Sequence, residues 1–199
     1  MRHFFGFFFL LLLFYACKEK SNSVVTVDTA LLQEGDLIFR RGVSLSSRTV
    51  LVAGKNELYS HVGILVKDST EWLVIHSVPG ETTKEHPEEK IKKETLKEFF
   101  APEKSVSGAI FRLDTTSLIS YRAAQKAKEL FERELLFDHQ YNPEDSTKMY
   151  CTELIYFVYQ NVGIDVTEGR RKVYPGFQYP FIFPKDITDN QSLRKVFFY

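Results

Sequence analysis

The chain has 199 residues, and its 26 basic and 26 acidic side chains cancel. That length allows one domain with a real core, and the balanced charge argues against a nucleic-acid binder, which carries a basic surplus. With only two cysteines, the fold cannot rest on a disulfide framework.

In chain order, the first element is an address. Arg2 and His3 precede an unbroken apolar run from Phe4 to Tyr15. The run is shorter than the ~20 residues of a comfortable membrane span. A basic start, a short apolar stretch and a small residue at its end fit a secretory signal. Ala16 and Cys17 follow, then the polar "KEKSNS". This resembles a bacterial lipoprotein signal, although Phe14 and Tyr15 stand where Leu and a small residue are usual. The resemblance implies a signal over residues 1–16, a lipidated Cys17 as mature N-terminus, and a polar tether over 17–30. The protein would then sit in the cell envelope, held to a membrane by that lipid. Cys151 would be the sole free thiol.

"LLQEGDLIFRRG" gives a turn at Glu34-Gly35 and a strand from Asp36 to Arg40. "SLSSRTVLVAG" reads as a short serine-capped helix that ends at Gly54. "YSHVGILVKD" is a strand rich in β-branched residues, and "EWLVIHSVPG" is its hairpin partner. The charged "ETTKEHPEEKIKKE" reads as a solvated loop with no further role. "TLKEFF" suggests a short helix and "VSGAIFRLD" another strand. In residues 115–136, Ile119, Ala123, Ala127, Leu130 and Phe131 recur on one helical face. After a polar loop, Cys151, Leu154, Ile155, Val158 and Val162 form the stripe of a second helix, with Gly163 as its stop. The aromatic "YPGFQYPFIFP" is expected to pack, and a last strand is expected at Lys195 to Tyr199. Antiparallel strands with two substantial helices make the class α+β.

Cys151 stands at the start of that second helix. A helix N-terminus and a neighbouring imidazolium both favour a thiolate, the nucleophilic form. First-turn amides without intrahelical partners could also bind an oxyanion, and Ser146 or Thr147 could cap the helix. A buried cysteine on an apolar stripe is an equally ordinary reading. His61 and His76 are each set in an otherwise apolar strand and placed to pair across the hairpin. His61, Gly63 and Leu65 lie opposite Val62, Ile64 and Val66, while Trp72, Val74, His76 and Val78 share a face. Each histidine could be a half-buried strand residue with an internal partner. Together with Cys151 they could form a nucleophile, a base and an orienting group. In that reading His61 holds the thiolate as an ion pair and later protonates the leaving group, and His76 fixes its tautomer. His139 and His86 lie in loops. No metal ligand spacing and no phosphate-cradling glycine loop is present, so no cofactor is expected.

"LQEGDLIFRRG", "YSHVGILV", "WLVIHSVPG" and "YCTELIYFVY", in that order, resemble the circularly permuted papain-fold family. These are YiiX-like members of the NlpC-type superfamily, related to lecithin:retinol acyltransferase. The resemblance implies a catalytic domain over residues 31–199, with an antiparallel sheet packed against helices. It places the nucleophile on Cys151, the base on His61 and the third polar residue on or near His76. That third position is often acidic in YiiX-like members and histidine in the acyltransferase branch. Ser60 and Tyr150, the residues preceding His61 and Cys151, are the expected substrate contacts. Asp36 and Glu153 match recurrent motif residues and are read as structural, Asp36 closing a turn and Glu153 serving the helix start. The implied activity is cleavage of an amide, such as a cell-wall peptide, through a thioacyl intermediate. Two alternatives are a lipid acyl hydrolase or acyltransferase with the same site, and a non-catalytic binding module of the same fold.

Overall fold

The computed structural model describes residues 25–82, 84 and 87–199. The apolar leader, Cys17 and most of the tether lie outside these residues, as does His86. The strands are β1 (Leu37–Gly42), β2 (His61–Asp68), β3 (Glu71–Ser77), β4 (Ile91–Thr95), β5 (Ser105–Leu113), β6 (Lys172–Val173), β7 (Pro180–Phe181) and β8 (Leu193–Phe198). The helices are α1 (Leu45–Ala53), α2 (Leu96–Phe99), α3 (Ser117–Glu132), α4 (Cys151–Gln160) and α5 (Pro184–Thr188). Six strands form one antiparallel sheet in the order β4-β3-β2-β1-β5-β8, and β6 pairs with β7 apart from it.

Alternation sorts the two sheet faces. Leu37, Phe39, Val62, Ile64, Val66, Ile75, Ala109 and Phe111 face one core, filled by Ala123, Ala127 and Leu130 of α3 and by Leu154, Ile155 and Val158 of α4. Ile38, Leu65, Val74 and Ile110 face the other, covered by Phe99 and Phe100. Val25 and Val27, within the stretch read as tether, also pack on this second core. With both faces covered, β1 is apolar on both sides from Leu37 to Phe39 and β2 from Val62 to Val66.

The Gly-Asp-Leu-Ile turn ties the layers together. Gly35 has φ +88°, and a Cβ there would lie 2.5 Å from the Ser120 carbonyl oxygen, so only glycine fits between turn and α3. The Tyr159 hydroxyl of α4 donates to the Gly35 carbonyl at 2.6 Å. Asp36 accepts from the Gln33 N–H and from both Nε and Nη2 of Arg112. This buried carboxylate closes the turn and ties it to β5.

The charged run 81–94 is not simply a solvated loop. Its end forms β4, paired with β3 from Ser77↔Ile91 to Leu73↔Thr95. Ile91 is buried in the α3–α4 core, while Lys92 and Glu94 sit on the opposite face among buried partners of opposite charge. The run's role in the site comes from this pairing.

Candidate active site

The hairpin β2–β3 places His61 and His76 side by side. His61 Nε2 and His76 Nδ1 are 2.8 Å apart, and both rings are buried. The Phe99 ring of α2 stacks on His61 and meets His76 edge-on. Gly63 makes this closeness possible. A Cβ at Gly63 would lie 2.6 Å from Val74 Cγ1 and 3.1 Å from His76 Cβ, so any side chain there would push β3 and its histidine away.

Behind His76 stands Glu94, its Oε1 3.1 Å from His76 Nε2, though off the line of a good hydrogen bond. Sequence reasoning missed Glu94. It belongs to a buried charge cluster. Arg40 of β1 meets Glu81 at 2.5 Å and Glu94 at 3.6 Å, donates to the Phe99 carbonyl, and lies 4.7 Å from the centre of the Phe99 ring. Lys92 bonds Glu81, and Lys104 bonds Glu94 at 2.8 Å. Buried charges persist when they are paired in this way. Burial alone would raise the Glu94 carboxyl, but His76 and then Lys104 outweigh it and hold the group below the ordinary carboxylate range. Glu81 is likewise held at about 2: Arg40, with Lys92 and Lys104, overcomes its desolvation.

The cluster acts on the histidines in opposite senses. Burial first, then Arg40 and His76, keep His61 well below its ordinary pKa. His76 is lowered by burial against the pull of Glu94. Both rings are therefore neutral at neutral pH, and the Glu94 carboxylate favours the tautomer with a proton on His76 Nε2. In that tautomer His76 Nδ1 accepts from His61 Nε2–H, leaving His61 Nδ1 with a basic lone pair.

Cys151 opens α4. The helix start is not capped by Ser146 or Thr147, since Thr147 bonds Asp145 instead. Glu153 takes the task, its carboxylate accepting the Tyr150 N–H at 3.2 Å. The sulfur approaches the end of β2 from the α3–α4 side, whereas the His61 ring lies on the Phe99 side. The β2–β3 ladder starts only at Ile64↔Ile75, which leaves the Val62 N–H outside it. That N–H, with those of Cys151 and Thr152, is directed at the sulfur.

Among the described residues, no hydrogen bond joins the Cys151 sulfur to either histidine. Cys151 is half-buried and packs against the α3–α4 core. Burial outweighs the three amides and pushes the thiol from 9.0 up to about 11. The resting pair is thus neutral thiol and neutral imidazole. Desolvation penalises both ions of the thiolate–imidazolium pair expected from the sequence, and Arg40 further disfavours a second cation at His61.

Ser60 and Tyr150, the expected substrate contacts, are both buried with internal partners. The Ser60 hydroxyl accepts from the Gly42 N–H, and the Tyr150 hydroxyl accepts from the Ile182 N–H. Tyr150 stacks on Phe181 with ring centres 4.9 Å apart, within an aromatic cluster that includes Phe137 and Phe183. The Tyr174–Phe183 segment packs as expected, with Phe181, Ile182 and Phe183 buried. A cavity of about 520 Å³ lies elsewhere, lined by Val78, Glu81, Lys92 and Phe131 among others, and not by Cys151 or His61.

Among solved structures, one similar to this chain is described as the metalloprotein yiiX from Escherichia coli O157:H7. It superposes with a TM-score of 0.67 at 21% identity, over 82% of this chain and 95% of that one, and so supports the fold. No curated protein matches the chain. Residues 31–196 match the family of permuted papain-like amidase enzymes, YaeF/YiiX, C92, a span that holds both histidines, Glu94 and Cys151. The chain belongs to this family and is a cysteine amidase-type hydrolase of permuted papain-like α+β fold.

Proposed function

We propose that this amidase cleaves a peptide-type amide outside the cytoplasm, with cell-wall peptide as its first candidate substrate, and that Cys151 is the nucleophile. The observation that carries the proposal is the buried line His61–His76–Glu94, which ends at the strand whose Val62 N–H meets the Cys151 sulfur. His61 Nδ1 takes the thiol proton as the sulfur attacks the carbonyl carbon. The proton moves during attack, because the resting groups are neutral. Because the sulfur and the His61 ring approach β2 from different sides at rest, the proposed transfer requires the two to be brought into contact when substrate binds. The N–H groups of Cys151 and Thr152 stabilise the oxyanion. The C–N bond then breaks, His61 returns the proton to the leaving amine, and a thioester remains on Cys151. Water hydrolyses it with His61 again as base, giving the carboxylic acid and free thiol. His76 orients His61, and Glu94 fixes the His76 tautomer. Ser60 and Tyr150 support the walls.

The cell-envelope location rests on residues 1–17 of the sequence, with Cys17 as the lipid anchor to a membrane. The relative's description as a metalloprotein does not carry over. Here the facing nitrogens of His61 and His76 are spent on each other, and no group of three potential ligands among the described residues could hold a metal ion. A histidine partner for His61, with an aromatic cluster beside Cys151, favours a second reading: transfer or hydrolysis of a lipid acyl group. The test is incubation with cell-wall peptide fragments and, separately, with phospholipids, followed by mass mapping. Acylated Cys151 and released amine with the peptide fragments alone support the proposal. Acylation by phospholipid alone refutes it in favour of the second reading.

A further inference from the structure

Helix α1 has no buried residue. Its outer face carries Val52 and Leu45, 83% and 81% exposed, the two most exposed large apolar side chains among the described residues. Leu58, 66% exposed, follows just beyond the helix. Arg48 lies between Leu45 and Val52 along the exposed face, and Lys55 continues it at helical spacing. Arg41 is fixed at the same end by bonds from its Nη1 to the Glu57 and Leu58 carbonyls. No acidic residue occurs from Leu37 to Asn56. Glu57, the first one after, is buried, its carboxylate accepting the Lys185 N–H. On the neighbouring α5, Lys185 and Asp189 pair with each other.

Exposed aliphatic side chains interleaved with unpaired cations suit a surface that is apolar inside and anionic at its rim. We propose that α1 and the turn after it, residues 41–58, dock on an anionic phospholipid bilayer, with Leu45, Val52 and Leu58 inserted and Arg48 and Lys55 at the headgroups. On its inner side, Val50 packs against the aromatic cluster that includes Tyr150, next to Cys151. Docking of α1 therefore orients the catalytic domain relative to the membrane. The surface lies wholly within residues 41–58 and needs neither the Cys17 anchor nor a particular substrate.

The test uses the full chain with Val52→Trp, and in parallel Leu118→Trp on α3, where Leu118 is 56% exposed. Each is mixed with phosphatidylglycerol vesicles whose acyl chains are brominated, and quenching above the Trp72 background is read. Val52→Trp is expected to be quenched and Leu118→Trp is not. An anchor alone would leave both positions alike. Adding Arg48→Ala and Lys55→Ala is expected to weaken the quenching association by roughly 25-fold, about fivefold per cation. Absent quenching at position 52, equal quenching at 118, or equal quenching in phosphatidylcholine overturns the proposal. So does concentration-dependent dimerisation through the Val52 position without vesicles, which would assign the face to a second copy.

Discussion

The neutral resting state of Cys151 makes a measurable prediction about its alkylation. The perturbation is pH, applied to the free enzyme with iodoacetamide, and the readout is the rate at the Cys151 peptide by mass spectrometry, which separates it from Cys17. The thiol is raised from 9.0 to about 11 by burial, against the Val62, Thr152 and Cys151 amides. Two units correspond to about 2.7 kcal/mol and to about 100-fold less thiolate at pH 7 than an ordinary thiol carries. Alkylation near neutral pH is therefore expected to be slow and to rise about tenfold per pH unit, without a plateau below pH 10. His61→Ala is expected to change this rate less than about threefold, since a neutral ring holds no ion pair with the sulfur. A plateau below pH 8, or a neutral-pH rate above that of free cysteine, would refute the reasoning and restore the ion pair. Slow alkylation thus does not argue against catalysis here.

Three further outcomes follow from the same structure. Glu94→Gln keeps the shape but removes the charge that sets the His76 tautomer, so kcat for amide hydrolysis should fall about 10–100-fold with KM nearly unchanged; a loss below threefold would remove Glu94 from the positioning line. Gly63→Ala should lower unfolding stability in urea by about 1–3 kcal/mol, because the added methyl overlaps Val74 and crowds His76. Glu57 is raised from 4.5 to about 8, chiefly by burial, so the folded state binds a proton that the unfolded chain has released between those values. Its contribution is intact below pH 4.5 and is lost as pH rises to about 8, so Glu57→Gln should flatten a decline of at most about 4 kcal/mol, reduced by solvent screening, between pH 5 and 8.5 in urea unfolding.

The elements that carry the site were largely legible in the sequence. Period-two alternation sorted the faces of β2 and β3 correctly, and the structure brings His61 and His76 within 2.8 Å. The serine cap and Gly54 stop of α1, and the apolar stripes of α3 and α4, also gave their positions. Glu94 was not legible, because "IKKET" looks solvated until Arg40 and Lys104 are known to meet it. Arg40 is 54 residues from Glu94 in sequence, and nothing local reveals that contact. The thiol's environment was hidden for a similar reason. Position at a helix start is a local property and favours the thiolate, whereas burial comes from β2 and the packed core and wins. Tyr150 and Ser60 flank the key residues in sequence, yet strand and helix geometry turns both inward.

The proposed mechanism requires Cys151 and His61 to act as one device. The most direct measurement is a single-turnover experiment with an activated acyl substrate, mapped by mass spectrometry in the wild type, His61→Ala and Cys151→Ala. A thioester on Cys151 is predicted in the wild type, formed about 10²–10⁴-fold more slowly in His61→Ala and absent in Cys151→Ala. An acyl group carried on another residue, or one that reaches Cys151 equally fast without His61, would contradict it.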